Sequence, residues 1–158
     1  MRPSKPEPTD EAALERAAVD LLARREHSRH ELTRKLAARG FDAGAIERVL
    51  DELERTGALA TSRFVETFVR SRVARGHGPI RIRAELAERG VAGEAAADSL
   101  KAAGIDWLEA TRAARRKRFG PELPRDYRER ARQARFLAYR GFDGAAIKAA
   151  LEVDEHSE

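Results

Sequence analysis

The chain has 158 residues, enough for one compact domain or a short array of smaller repeats. It contains no cysteine, which removes disulfides, thiolate metal sites and thiol nucleophiles, and no apolar run approaches the roughly 20 residues that span a bilayer. The net charge of +4 is unevenly spread: −1 over residues 1–62, +4 over 63–90, −2 over 91–100, +7 over 101–141 and −4 over 142–158. A neutral start, a basic middle and an acidic end fit contact with a polyanion or an acidic partner. They also fit Arg-rich helices that keep a thin-cored protein soluble.

The first ten residues, MRPSKPEPTD, lack the apolar segment of a secretory signal, so a soluble cytoplasmic protein with a flexible lead over 1–10 is expected. With one Trp, two Tyr and six Phe, packing must rely on Ala and Leu, which favours helices over strands. Ala18, Leu21 and Leu22 place a first helix over about 11–24, broken at Glu26-His27. Ser28 stands three residues before Glu31, the capping-box spacing in which each side chain satisfies an unpaired backbone N–H. Leu32 and Leu36 share a face of the second helix, which Gly40 can end. Asp42 caps a third, with Ile46, Val49, Leu50 and Leu53 as its apolar stripe, ending at Gly57.

The next unit repeats the plan. Ser62 is read as the cap of a helix bearing Phe64, Val65, Phe68 and Val69, and Gly76-His77-Gly78 interrupts it before Pro79, which suits a first helical turn. Ile82 and Leu86 face inward on the following helix, and Ala96 and Leu100 on a weaker one. Asp106 then caps a helix starting at Trp107, with Glu109 at capping-box spacing, and running to about Arg118. Phe119-Gly120-Pro121-Glu122-Leu123-Pro124 must be a rigid turn. Phe136 and Leu137 mark the eighth helix, and Ile147 and Leu151 the last.

Laid over each other, ELTRKLAARGFDAGAIERVL from Glu31, RIRAELAERGVAGEAAADSL from Arg81 and RQARFLAYRGFDGAAIKAAL from Arg132 are one pattern. Arg39-Gly40, Arg89-Gly90 and Arg140-Gly141 recur after 50 and then 51 residues. The expected fold is all-α, an elongated, slightly curved array of three tandem three-helix repeats over 11–60, 61–104 and 105–152, followed by an acidic flexible tail over 153–158. Units this small sit near the limit of independent stability, so stacking should add to each core.

Catalytic chemistry is hard to find. His27 and His30 straddle the Ser28 cap without further metal ligands, and His77 has no evident nucleophile beside it. Ser28 and Ser62 are explained by capping. Gly76-His77-Gly78 lacks the strand and the remaining pattern of a nucleotide loop. No metal or cofactor is expected. Trp107 reads as a core anchor more readily than as a base-stacking platform. The helix with Glu47, Asp51, Glu52 and Glu54 is too acidic for a DNA major groove.

The basic residues are richer. Arg112, Arg115, Arg116, Lys117 and Arg118 follow Trp107, with the four arginines along one flank. Arg125, Arg128, Arg130, Arg132 and Arg135 surround Tyr127, and Arg70, Arg72, Arg75, Arg81 and Arg83 bracket the Gly76–Gly78 turn. Arginine's planar fork suits phosphate, and it suits an acidic protein groove equally.

Arg24 to Leu32, Lys35-Leu36 and Gly40-Phe41 through Leu53 resemble the first repeat of the RecX regulatory family. Arg63-Phe64, Phe68-Val69-Arg70, Gly76-His77-Gly78, Arg81-Ile82, Glu85-Leu86 and Gly90 resemble its second. The likeness covers nearly the whole chain after residue 10. Two departures stand out: Ala60-Thr61-Ser62 replaces the family's acidic step before Arg-Phe, and the third unit is looser. The resemblance implies a non-enzymatic modulator of the bacterial RecA recombinase. Such a protein binds in the groove of the RecA filament on DNA, inhibits strand exchange and ATP hydrolysis, and limits filament growth. It implies as partners a RecA filament and the single-stranded DNA within it; the chain itself is expected to be a monomer. Arg63, Phe64, Arg70, Gly76, Gly78, Arg81 and Gly90 match the family's middle-repeat signature. Ser28, Glu31, Gly40 and Gly141 join the structural positions, Phe64 as core and the glycines as turns. The remaining arginines and Lys117 are candidates for filament or DNA contact. An autonomous nonspecific DNA-binding protein is the alternative.

Overall fold

The computed structural model describes residues 4–152, and the first three residues and the expected acidic tail over 153–158 lie outside them. Among the described residues the secondary structure is helical throughout: α1 Glu11–Arg24, α2 Arg29–Ala38, α3 Ala43–Arg55, α4 Thr61–Ala74, α5 Pro79–Glu88, α6 Gly93–Ala102, α7 Trp107–Phe119, α8 Tyr127–Tyr139 and α9 Gly144–Leu151. None of them is long and apolar enough to cross a membrane.

The starts of these helices are set locally. Asp10, Asp42, Asp106, Asp126 and Asp143 each accept a hydrogen bond from the backbone N–H three residues on, satisfying a donor that the helix leaves unpaired. Ser28 and Glu31 form the full reciprocal capping box, with Glu31 N donating to Ser28 Oγ and Ser28 N to Glu31 Oε1. Ser62 is not a cap. The helix already begins at Thr61, and its first turn closes when Phe64 N donates to the carbonyl of Ala60, so Ala60 holds the cap position and Ser62 lies inside the helix. The Phe64 ring is buried as core, as its place in the signature implied.

The chain packs as two compact units. The first comprises Met1–Thr67 with Arg89–Val91, the second Phe68–Glu88 with Ala92–Glu158. In the first, α1, α2 and α3 pack mutually around Leu14, Ala18, Leu21, Leu32, Leu36, Ile46, Leu50 and Leu53. Nearly all of this core is aliphatic, as the composition required. Pro8 adds a tie outside the helices, its carbonyl accepting from Asp42 N at 2.8 Å. A side chain at Gly90 would run into His30.

In the second unit, α7, α8 and α9 enclose Ala114, Leu137, Phe142, Ile147 and Leu151, with Trp107 and Phe136 packed against them. Ile82 and Leu86 of α5 and Ala96 and Leu100 of α6 are buried as their spacing predicted. The second and third repeats are joined by backbone. Gly78 N donates to the carbonyl of Arg140 at 2.8 Å and Ile80 N to that of Gly141 at 3.0 Å, so the start of α5 is bonded to the α8–α9 turn. A Cβ on Gly78 would overlap the carbonyl of Gly141 and the N of Phe142. One on Gly141, whose φ is +96°, would overlap Arg81. Gly78 is required by close backbone approach alone, and Gly141 by close approach together with its left-handed turn geometry.

A candidate polyanion-binding strip

In the first unit several guanidiniums pair with carboxylates: Arg25 with Glu31, Arg29 with Asp51 and Glu54, Arg48 with Glu11, Arg55 with Glu52. Arg63, expected as a contact residue, bonds Glu26 at 3.0 Å and the carbonyls of Gly57 and Ala58.

Several expected contact residues of the second unit are likewise engaged. Arg72 stacks on the Phe68 ring at 4.3 Å and pairs with Glu85 at 2.6 Å, and Arg81 reaches the same carboxylate at 3.3 Å. Burial pushes the Glu85 carboxyl up, but bonds from Arg72 and Arg81 outweigh it and hold the carboxyl below its ordinary value. Arg116 pairs with Glu109, and Arg125 more loosely with Glu122.

Arg115 departs from its sequence reading outright. It is 3% exposed, donating to the carbonyls of Pro121 and Glu122 and to Gln133 Oε1. Desolvation lowers its pKa, with the neighbouring Arg116 adding to the effect. Its fork holds the Phe119–Pro124 turn instead of meeting a partner, because α7 turns that position inward just where the turn presents bare carbonyls.

What remains forms a strip. Arg140 lies over the Phe136 ring at 5.0 Å, and Arg118 is shared between Phe136 at 5.8 Å and Phe119 at 5.2 Å. Arg132 covers Phe119 at 5.3 Å while also reaching Glu129. The two rings meet edge to face at 5.2 Å. Three guanidiniums therefore interleave with two phenyl rings. At one end, Arg75, Lys117, Arg118 and Arg140 line a cleft of about 230 Å³ with Phe136, Ala114 and Gly76. Arg140 donates to the carbonyl of Arg75 at 3.2 Å, fixing the two ends of the cleft wall. Among the described residues no carboxylate pairs with any of these four cations.

That difference decides where charge is available. A carboxylate neutralises an arginine, whereas a ring or a carbonyl positions it and leaves both its charge and its remaining N–H donors for a ligand. Of the other expected contact residues, Arg128 and Arg135 are exposed on α8, and Arg83 is exposed beside a second groove of about 350 Å³ that Lys101, Leu100 and Trp107 also line. Arg70 and Arg112 have partners of their own. Sequence reading missed Arg140, Phe119 and Phe136 as site residues. The spacing of Arg132, Phe136 and Arg140, four residues apart each, was the available signal, since it puts a ring between two cations on one helix face.

His77 lies beneath this end of the unit, 9% exposed, with no hydrogen-bond partner for Nδ1. Desolvation lowers its pKa from the ordinary 6.5, and the positive charges of Arg81, Arg140 and Arg72 act with it against the opposing Glu85. The buried His27 is lowered too, by desolvation first and in spite of its bond to the Arg25 carbonyl. Unfolded histidines take up protons near pH 6.5, the folded ones only at lower pH. The stability these two contribute is thus complete above about pH 6.5 and is lost as pH falls from there towards their folded values. Urea midpoints are expected to drop between pH 7.5 and 5.5, and His77→Gln is expected to flatten that drop. Identical profiles for the two proteins would show that His77 has no part in it. Among the described residues no group of three or more His, Asp or Glu side chains is placed to hold a metal.

Three family profiles match the chain in order: the RecX first three-helix domain over residues 15–53, the second over 62–100 and the third over 105–151. Regulatory protein RecX of Halorhodospira halophila (strain DSM 244 / SL1) is 50% identical over 147 residues, covering 92% of this chain and 91% of that protein. Regulatory protein RecX of Ectopseudomonas mendocina (strain ymp) is 50% identical over 130 residues, 82% of this chain and 87% of the other. The crystal structure of RecX from Lactobacillus salivarius superimposes with a TM-score of 0.75 at 20% identity, covering 89% of this chain and 94% of that one, which speaks to the fold alone. Matched domain by domain along its length, the chain belongs to the RecX family of regulatory proteins.

Proposed function

We propose that this protein is a non-enzymatic inhibitor of a RecA recombinase. It binds in the groove of the recombinase filament on single-stranded DNA and limits ATP hydrolysis, filament growth and strand exchange. Membership of a family of regulatory proteins supports the regulatory role. The observation that carries the reading to a nucleoprotein filament is the cleft of four cations without a carboxylate partner, with the arginine–phenyl strip that leads from it, on the second unit. A filament groove offers both DNA phosphates and acidic protein side chains, and either complements such a strip. Inhibition then requires no chemistry. A ligand that binds one filament state better than the states needed for turnover and growth shifts the population towards it.

The test is the single-stranded-DNA-dependent ATPase rate of the cognate RecA as the protein is titrated in, with binding to naked DNA followed at the same salt. Saturable inhibition is expected below the concentration that coats free DNA. No inhibition by a folded protein would overturn the reading. Inhibition that appears only as free DNA is coated would identify an autonomous nonspecific DNA-binding protein instead.

A further inference from the structure

We infer that the cleft between Arg75, Lys117, Arg118 and Arg140 seats a backbone phosphate of a single nucleic-acid strand, which continues along the guanidinium–phenyl strip to Arg132. This deepens the filament reading and rests on it for its biological setting, but it concerns one site and one ligand chemistry.

Three observations carry it. The cleft gathers four cations and no carboxylate, so the group that enters must be anionic. The cations come from three places: the segment after α4, the last turn of α7 and the C-cap of α8. They therefore surround the entering group and can direct N–H donors at several of its oxygens at once, which phosphate, with oxygens out of one plane, uses better than a flat carboxylate. The charge also does not stop at the cleft. Arg118 stands between Phe136 and Phe119, and Arg132, which shares its charge with Glu129, lies beyond on Phe119. A row of charges matches a linear polyanion better than a lone ion. Guanidiniums within 5.0 to 5.8 Å of ring centroids make a mixed cationic and aromatic surface, and a single strand offers unstacked bases to such a surface where a duplex does not.

Arg140 has a second part here. Its carbonyl accepts from Gly78 and its guanidinium holds the Arg75 carbonyl, so it belongs both to the cleft and to the junction of the second and third repeats. For that reason the test leaves it intact and uses Lys117→Gln with Arg118→Gln. These residues are exposed, and no backbone bond of the junction involves their side chains.

Binding of the full chain to a fluorescent oligo-dT is measured without recombinase between about 50 and 200 mM salt. For single strands each neutralised phosphate contributes about 0.7 to the slope of log K against log salt. The double variant, which breaks up the seat of one phosphate, is expected to lose about 0.7 from that slope. The fall in affinity across this salt range then becomes about 2.6-fold shallower than for the unaltered protein. The matched control, Arg48→Gln with Arg55→Gln, removes the same charge from carboxylate-paired positions of the first unit and should leave the slope unchanged. Equal slopes for the double variant and the unaltered protein, or equal losses in variant and control, would overturn the site. Polyglutamate displacing the oligonucleotide as well as unlabelled oligo-dT does at equal charge would assign the cleft to an acidic protein segment and overturn the strand. Saturable competition by inorganic phosphate beyond its ionic-strength effect would mark a site for the free ion and do the same. Because no recombinase is present, the outcome is separate from the ATPase titration: either can fail while the other stands.

Discussion

Gly78→Ala is expected to lower the stability of the second unit by about 3 kcal/mol, the upper range for forcing an atom into a closely packed site. Gly78 has no positive φ, so alanine is conformationally permitted and the effect is steric alone. The added Cβ would land on the Gly141 carbonyl and the Phe142 amide. Both are backbone, so no flexible side chain can swing aside. Room can be made only by drawing the start of α5 away from the α8–α9 turn, which gives up the bonds from Gly78 N to Arg140 and from Ile80 N to Gly141. Two backbone donors then lose their partners, and the one on Gly78 is in a buried residue. Gly141→Ala should cost at least as much, since it adds a left-handed backbone angle to overlap with Arg81. Urea unfolding measures the loss, and hydrogen exchange at the Gly78 and Ile80 amides locates it. A change within about 0.5 kcal/mol, the range of ordinary surface substitutions, would mean that the contact yields easily and that the second and third repeats are not held through it.

Arg115→Met is expected to cost about 2 kcal/mol and to weaken polyanion binding as well, although Arg115 itself faces no ligand. Methionine fills much of the same space, so the cavity is small. What disappears is the fork that ties the carbonyls of Pro121 and Glu122 to Gln133. Without it the segment from Phe119 to Pro124 loses its anchor, and Phe119 is the ring on which Arg118 and Arg132 lie. Arg115→Lys should rescue little, because one ammonium cannot reproduce a planar pair of donors. The discriminating readout is the salt dependence of oligo-dT binding. A purely structural role would lower the unfolding midpoint and leave the salt slope of the remaining folded protein unchanged. A positioning role for the strip lowers both. Exposed charge changes elsewhere on α7, such as Arg116→Gln, should alter stability by no more than about 1 kcal/mol, since that residue is held only by a surface pair with Glu109.

The helices and the threefold repeat were legible from the chain alone, because the signals that set them are local. An Asp or Ser three residues before a free backbone N–H, a Leu or Ile every three to four residues, and a Gly at a helix end act over a single turn. The expected Ser28, Asp42 and Asp106 caps form, and the structure adds Asp10, Asp126 and Asp143 in the same role. Ser62 misled because Ala60, with no side-chain oxygen to advertise a cap, takes the position through its carbonyl. Family membership was legible too, since it rests on ordered motifs and needs no packing.

Which cations are available could not be read the same way, because their partners come from other elements. Arg63 and Arg118 look alike in sequence. One meets Glu26 across 37 positions, and the other meets two phenyl rings that only the turn after α7 brings together. Arg115 falls on the inner face of its helix by periodicity, yet a charge there reads as exposed until the turn supplies carbonyls to receive it. The sequence by itself determined where helices start, which residues line their apolar faces and which family the chain joins, since local hydrogen bonding and hydrophobic spacing dictate these. Only the tertiary structure decided which arginines keep their charge for a ligand, because neutralisation depends on whether folding brings each guanidinium to a carboxylate, a carbonyl or a ring.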